Sequence, residues 1–209
     1  MLELNFDPQA IANENHARTR KLIRVFLYLG SAAALLFFAL LVMFFHWTHS
    51  ANLRAFRSGS DSMCPAVCVD ERIIVSMDAF DRQPPRRGDV ILFYFKPGNN
   101  VTYIKRVIAI EGDSVAPGPE DSILLNGKPV QLPGGCGMPA WKGGSSSESI
   151  AFKAVTVPNG SYFVIGDNLN NSYDSRIEGF GFIKREQVRG KALFIYWSPG
   201  KSRFGCAIR

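Results

Sequence analysis

The chain has 209 residues, with 24 Lys and Arg against 18 Asp and Glu for a formal charge of +6, and 46% of it is hydrophobic. That length suits one globular domain with an appendage rather than several domains. The positive excess reads as solvated surface and attraction to anionic lipid headgroups; with no ladder of alternating basic and aromatic residues, it does not point to nucleic acid.

In chain order, residues 1–24 read as a short polar tail. Residues 25–45, "VFLYLGSAAALLFFALLVMFF", form a run of 21 residues without a charge. As a helix it spans roughly 30 Å, the thickness of a bilayer core. A cleavable signal peptide has a shorter apolar core of about 7–15 residues, and a buried helix would show a polar face, so a permanent anchor over 25–46 is expected. Arg18, Arg20, Lys21 and Arg24 precede the run, whereas Arg54 and Arg57 follow at a distance. This bias places the N-terminus in the cytoplasm and residues 47–209 across the membrane. Glu3, Asp7 and Glu14 argue against a transit peptide. His46 and His49 read as polar residues at the membrane interface.

Past residue 50 the texture changes. Short runs rich in Val, Ile, Phe and Tyr ("RIIVSM", "VILFYF", "VTYIKRVIAI", "SILLNGKPV", "SYFVIGDN", "KALFIYWSPG") alternate with turn signals. This spacing predicts a mostly β domain. Asn126-Gly127 predicts a tight hairpin turn, and "GGSSSES" at 143–149 a flexible loop. Cys64, Cys68, Cys136 and Cys206 all lie beyond the apolar run, where disulfides persist. Without a C-x-x-C pair a zinc ribbon or thioredoxin-type site is not expected. Three full pairings are open, and spacing does not choose among them.

The chemistry starts from an absence: no histidine follows His49. A Ser-His-Asp triad and a histidine metal site within the β domain are therefore excluded. A serine nucleophile still needs a base, and a desolvated lysine can supply one. In "VTYIKRVIAI", strand alternation places Tyr103, Lys105, Val107 and Ala109 on one face and Thr102, Ile104, Arg106, Ile108 and Ile110 on the other. Both faces are largely apolar, so burial would push the Lys105 amine toward neutrality. The competing reading is a lysine that snorkels to the rim or pairs with a carboxylate. Arg106 keeps its charge and needs a carboxylate if buried; Asp167 is the first candidate and Asp174 the second. "GDNLNNSYDSR" at 166–176 is either a turn-rich loop or a scaffold orienting a catalytic group.

Together these islands resemble the motif blocks of the type I signal peptidases, or leader peptidases. "SDSMCP" at 60–65 resembles the family's S-x-S-M-x-P block, and "YIKRV" at 103–107, followed by Gly112 and Asp113, its lysine block. "RRGDVILF" at 86–93, "GDNLNNSYDSR" at 166–176 and "GFGFIKREQVRGKALFIYWS" at 179–198 complete the ordered set. The resemblance implies an antiparallel-sheet catalytic domain behind one N-terminal transmembrane helix, and a serine endopeptidase that removes signal peptides from exported preproteins without a metal or other cofactor. It implies Ser62 as nucleophile, Lys105 as general base, Ser60 and the Ser62 N–H as oxyanion donors, and Ser172 as the group orienting Lys105. Asp174 and Arg176 become an ion pair beside the lysine, with Asp167 and Arg106 in support. Met63, Pro65 and Tyr103 are expected to touch substrate, with small side chains preferred at the first and third positions before the cut.

The resemblance further implies a bacterial inner-membrane location, contact with membrane lipid, and the secretion translocon as a partner. Ser62 lies 17 residues past Phe45, so the site is expected near the membrane surface. The short stretch between the lysine and glycine-rich blocks implies an accessory region reduced to about 114–160. Asp61 and Gly59 depart from the family pattern, and Asp61 adds a negative charge beside the nucleophile. Cys64 is an alternative nucleophile with no evident activator. The rival functions are a dedicated relative that matures conjugative pilins, and an inactive anchored domain that binds secretory proteins.

Overall fold

A computed structural model describes residues 8–50, 52–95, 101–119, 122–132, 152–200 and 203–208. The expected flexible loop at 143–149 and Cys136 lie outside these. The chain divides into two compact units, residues 1–51 and 52–209.

The first unit is one helix, α1, Pro8–Ser50. Proline suits a helix start because its fixed φ is already helical and its missing N–H costs no bond there. The helix thus takes in most of the polar tail as well as the apolar run. Gln, Ala, Glu, Arg and Lys in that tail are good helix formers, and extending an existing helix is far easier than starting one. Its Arg20–Phe45 stretch is long and apolar enough to cross a membrane.

The second unit is built from antiparallel strands. The main sheet holds β1 (Leu53–Arg57), β2 (Arg72–Ser76), β3 (Val90–Tyr94), β4 (Thr102–Ala109), β9 (Ser161–Ile165), β10 (Ile183–Lys184), β11 (Val188–Trp197) and β12 (Cys206–Ala207), in the order β1-β2-β11-β3-β4-β9-β10 with β12 on β11. A smaller sheet, β7-β6-β5-β8, is made of β5 (Ser114–Pro117), β6 (Ile123–Leu125), β7 (Lys128–Pro129) and β8 (Val155–Thr156). The expected mostly β, antiparallel class is correct. Asn126 and Gly127 have φ of 51° and 79° and make the turn between β6 and β7, the double positive φ of a type I′ hairpin.

Strand β4 organises the site. Its register sets Lys105 opposite Ile91 and Arg106 opposite both Val90 and Ile165. Tyr103 and Val107 pack with Ile91, Phe93 and Val164, as alternation predicts. Alternation then fails: a register shift against β9 falls between Val107 and Ala109. Ala109 joins Ile108 in the core under the small sheet, and Ile110 returns to the core of Val107. A bulge inserts one residue and flips the faces beyond it, so the strict two-face reading holds only as far as Val107. Beyond the bulge, Asp113 fixes the turn into β5, accepting both arms of Arg87 at 2.6 and 2.7 Å.

Candidate active site

Residues 58–71 form a loop between β1 and β2. Its ends are tied by Ser58 N–H to the Glu71 carbonyl at 2.8 Å and Asp70 N–H to the Ser58 carbonyl at 2.9 Å. Inside it, Cys64 N–H donates to the Asp61 carbonyl and Val67 N–H to the Met63 carbonyl, and Cys64 and Cys68 are joined by a disulfide. The bond removes Cys64 as a thiol nucleophile, and although Asp61, Cys64 and Cys68 cluster, the two sulfurs are committed to each other rather than to a metal. Cys206 is also disulfide-bonded.

This loop brings Ser62 to β4. The Lys105 amine donates to Ser62 Oγ at 2.7 Å, and the Lys105 residue is only 4% exposed. The Ser60 hydroxyl lies 3.1 Å from Ser62 Oγ. From the far side, Asn168 N–H donates to the Ser62 carbonyl at 3.1 Å and its side-chain amide to the Asp61 carbonyl at 3.2 Å. Burial lowers the Lys105 pKa from its ordinary 10.5 to about 8; Asp174 and Asp167 pull it up, and Arg176 pushes it down.

Those carboxylates are each engaged. Arg106 meets Asp167 with both arms at 2.7 and 2.6 Å, the partner that sequence reasoning placed first. Burial pushes the Asp167 carboxyl up while Arg106 pulls it down; the two-point, charge-assisted geometry is that of an ionised pair. Arg176 meets Asp174 with two bonds at 2.8 Å. Arg176 offsets part of the carboxylates' pull on Lys105, and burial is the dominant effect.

Gly166 makes the crowding possible. A Cβ there would collide with the Ser62 carbonyl oxygen and with the Ser172 hydroxyl and Cβ. Sequence reasoning matched this glycine to a motif but gave it no role; a glycine ending a strand is itself a signal of close backbone approach. Ser172 Oγ is buried, and the expected bond to Lys105 is not made: the hydroxyl has no hydrogen-bond partner.

A groove of about 260 Å³ opens on the dyad, with Phe56, Gly59, Ser60 and Ser62 on one wall and residues 101–105 on the other. Tyr103 lines it. Met63 does not: it is 0% exposed, packed with Val67, Ile73 and Val75, because the loop turns it inward together with Val67. Pro65 is also absent from the lining; its carbonyl instead accepts from Arg203 at 2.7 Å. A larger cavity of about 560 Å³, lined by residues such as Phe152, Phe163 and Phe182, touches neither dyad residue.

The family model described as signal peptidase, peptidase S26, matches residues 29–197. The chain belongs to this family. Among S26 relatives, it is 34% identical over 145 residues to the signal peptidase I of Leptolyngbya laminosa, covering 66% of each chain. It is 34% identical over 145 residues to signal peptidase I S of Bacillus subtilis strain 168, covering 68% of this chain and 76% of that one. It is 32% identical over 143 residues to the probable signal peptidase I-2 of Synechocystis sp. PCC 6803, covering 66% of this chain. The match thus spans 66% and 60% of the lengths of the Leptolyngbya and Synechocystis relatives.

Proposed function

We propose that this S26 peptidase is a membrane-anchored serine endopeptidase that removes signal peptides from exported preproteins, with Ser62 as nucleophile and Lys105 as base. One observation carries the reading: a desolvated lysine amine within 2.7 Å of a serine hydroxyl, in a domain with no histidine. A serine hydroxyl is a weak nucleophile until a neighbouring base takes its proton, and an amine titrating near 8 is poised to do so close to neutral pH.

Neutral Lys105 takes the Ser62 proton as Oγ attacks the scissile carbonyl. The Ser62 N–H and the Ser60 hydroxyl receive the oxyanion; each such donor is worth about 2.7–4 kcal/mol of barrier. Protonated Lys105 passes its proton to the leaving amine; the Lys105 amine, neutral again, then takes a proton from water as it attacks the acyl-enzyme, and returns that proton to Ser62 Oγ as the ester bond breaks. Ser172, whose hydroxyl has no other partner, accepts from the lysine once substrate draws Ser62 away. Asp174–Arg176 and Asp167–Arg106 hold the surrounding field constant.

The substrate adds as a strand. Residues 102–105 of β4 pair with β3 on one side, and β9 joins on the other only from Arg106 onward. That open edge runs along the groove and suits an extended peptide bound by main-chain hydrogen bonds. The resemblance to signal peptidases implies small side chains beside the cut.

Residues 1–24 are assigned to the cytoplasm, 25–46 to a bacterial inner membrane and 47–209 to its outer side, with the small sheet as the reduced accessory region of 114–160. Lipid headgroups and the secretion translocon are the partners this arrangement implies. In the test, purified Ser62→Ala and Lys105→Ala each lose cleavage of a model preprotein while circular dichroism stays unchanged; substantial activity in either variant overturns the assignment. A prepilin run alongside the preproteins separates general from dedicated processing.

A further inference from the structure

Arg203 lies beyond the stretch that matches the family, yet its side chain is buried against the loop carrying Ser62. It is 4% exposed and Glu71 is 1% exposed. Its Nη2 donates to the carbonyls of Pro65 and Ala66 at 2.7 and 3.1 Å, and its Nη1 to Glu71 Oε1 at 2.8 Å. Glu71 in turn accepts from the Cys68 N–H at 2.9 Å and from the Ser198 hydroxyl at 2.7 Å. The segment bearing Arg203 is itself anchored: Gly205 and Ile208 N–H groups donate to Ile195 and Leu193 of β11 at 2.8 Å, Ile208 packs in one core with Met63, and Cys206 is disulfide-bonded.

We infer that Arg203, acting through Glu71 and the carbonyls of Pro65 and Ala66, is a positioning residue that fixes the loop on which Ser62 and its oxyanion N–H are presented. The inference rests on the reading of Ser62 as nucleophile. Without the guanidinium, the carbonyls of Pro65 and Ala66 lose this donor and the buried Glu71 carboxylate keeps only the Cys68 N–H and the Ser198 hydroxyl, with no cation to balance its charge, and the loop moves to resolve them. Met63, adjacent to Ser62, shares the core with this segment, so that movement reaches the nucleophile directly.

The test compares full-length wild type, Arg203→Met and Arg203→Lys in detergent on a model preprotein, with kcat and KM followed across pH. Arg87→Met, which breaks the half-exposed Arg87–Asp113 pair and touches neither the Ser62 loop nor Glu71, is the comparator for simple destabilisation. A misplacement on the scale of 1 Å costs about 100-fold in rate. Arg203→Met is therefore expected to lower the kcat plateau roughly 10- to 100-fold, with KM within about twofold and the acidic limb still near the Lys105 value of about 8. Arg203→Lys, which keeps a cation beside Glu71 and loses the two-armed grip, is expected to fall between, and it carries the test at reduced temperature where Arg203→Met does not fold. An unchanged plateau overturns the inference. So does an acidic limb displaced upward, which marks general loosening and hydration of Lys105, or an equal loss in Arg87→Met. A wild type that cleaves nothing, or a Ser62→Ala variant that still cleaves, overturns the reading of Ser62 itself; an active wild type with unaltered Arg203 variants overturns only the clamp.

Discussion

The amine of Lys105 titrates near 8 because burial withholds water from its charged form, and both activity and stability should carry that signature. With Lys105 as the proposed base, cleavage needs the neutral amine, so kcat/KM is expected to rise with pH through an apparent pKa near 8; a flat profile from pH 5 upward contradicts a lysine base. The stability effect has a definite sign. The folded pKa lies below the unfolded one, so the unfolded chain binds more protons between about 8 and 10.5, and stability rises across that window. Below 8 the full cost of about 3 kcal/mol is present. Lys105→Met should therefore be inactive but more stable near neutrality, with the gain fading above pH 8 in thermal melts. Gly166 is the second sensitive residue. Gly166→Ala sets a methyl against the Ser62 carbonyl and the Ser172 hydroxyl, and a loss of about 100-fold in kcat is expected, read in steady-state cleavage of a preprotein.

Among the elements, β4 joins the core to the candidate site: Lys105 meets Ser62 and the next residue, Arg106, meets Asp167. The Arg106–Asp167 pair is almost wholly buried, and removing one charge from such a pair costs about 3–5 kcal/mol because the other is stranded. Asp167→Asn is accordingly expected to shift the urea midpoint well down, and an unchanged midpoint would discount the pair. The bulge after Val107 shows how far a sequence pattern reaches at this scale. Period-two alternation describes the strand up to the point where β9 changes register, and no residue type marks that point. Edge strand β1 was unread for a related reason: of its five residues only Phe56 packs against the core, so it carries almost no hydrophobic alternation.

Across the whole molecule, the long apolar helix and the β unit place different demands on their surroundings. From Leu22 to Phe45 the helix exposes its large hydrophobic side chains, a surface that a bilayer core accepts and water does not. A chain beginning at residue 52 is expected to keep its β circular-dichroism spectrum and the limb near pH 8, and to fail to remain with lipid vesicles in flotation after a high-salt wash. Retention equal to that of the full chain would shift the anchoring to the β unit.

Residue chemistry and periodicity determined a good deal by themselves. The uncharged run declares a membrane-length helix, the missing histidines exclude a histidine base from the β domain, the need of a buried arginine for a carboxylate puts Asp167 first for Arg106, and the motif blocks single out Ser62 and Lys105 by their resemblance to signal peptidases. These follow because each depends on the type and order of neighbouring residues. Tertiary structure alone decided that Met63 packs inward, that Cys64 is bound to Cys68, that Ser172 keeps an unpartnered hydroxyl, and that Arg203 reaches back to the nucleophile loop from 138 residues away at Pro65. Such contacts depend on where chain reversals bring distant segments, and burial then decides which polar groups must be satisfied there; neither quantity is encoded in any local stretch of residues.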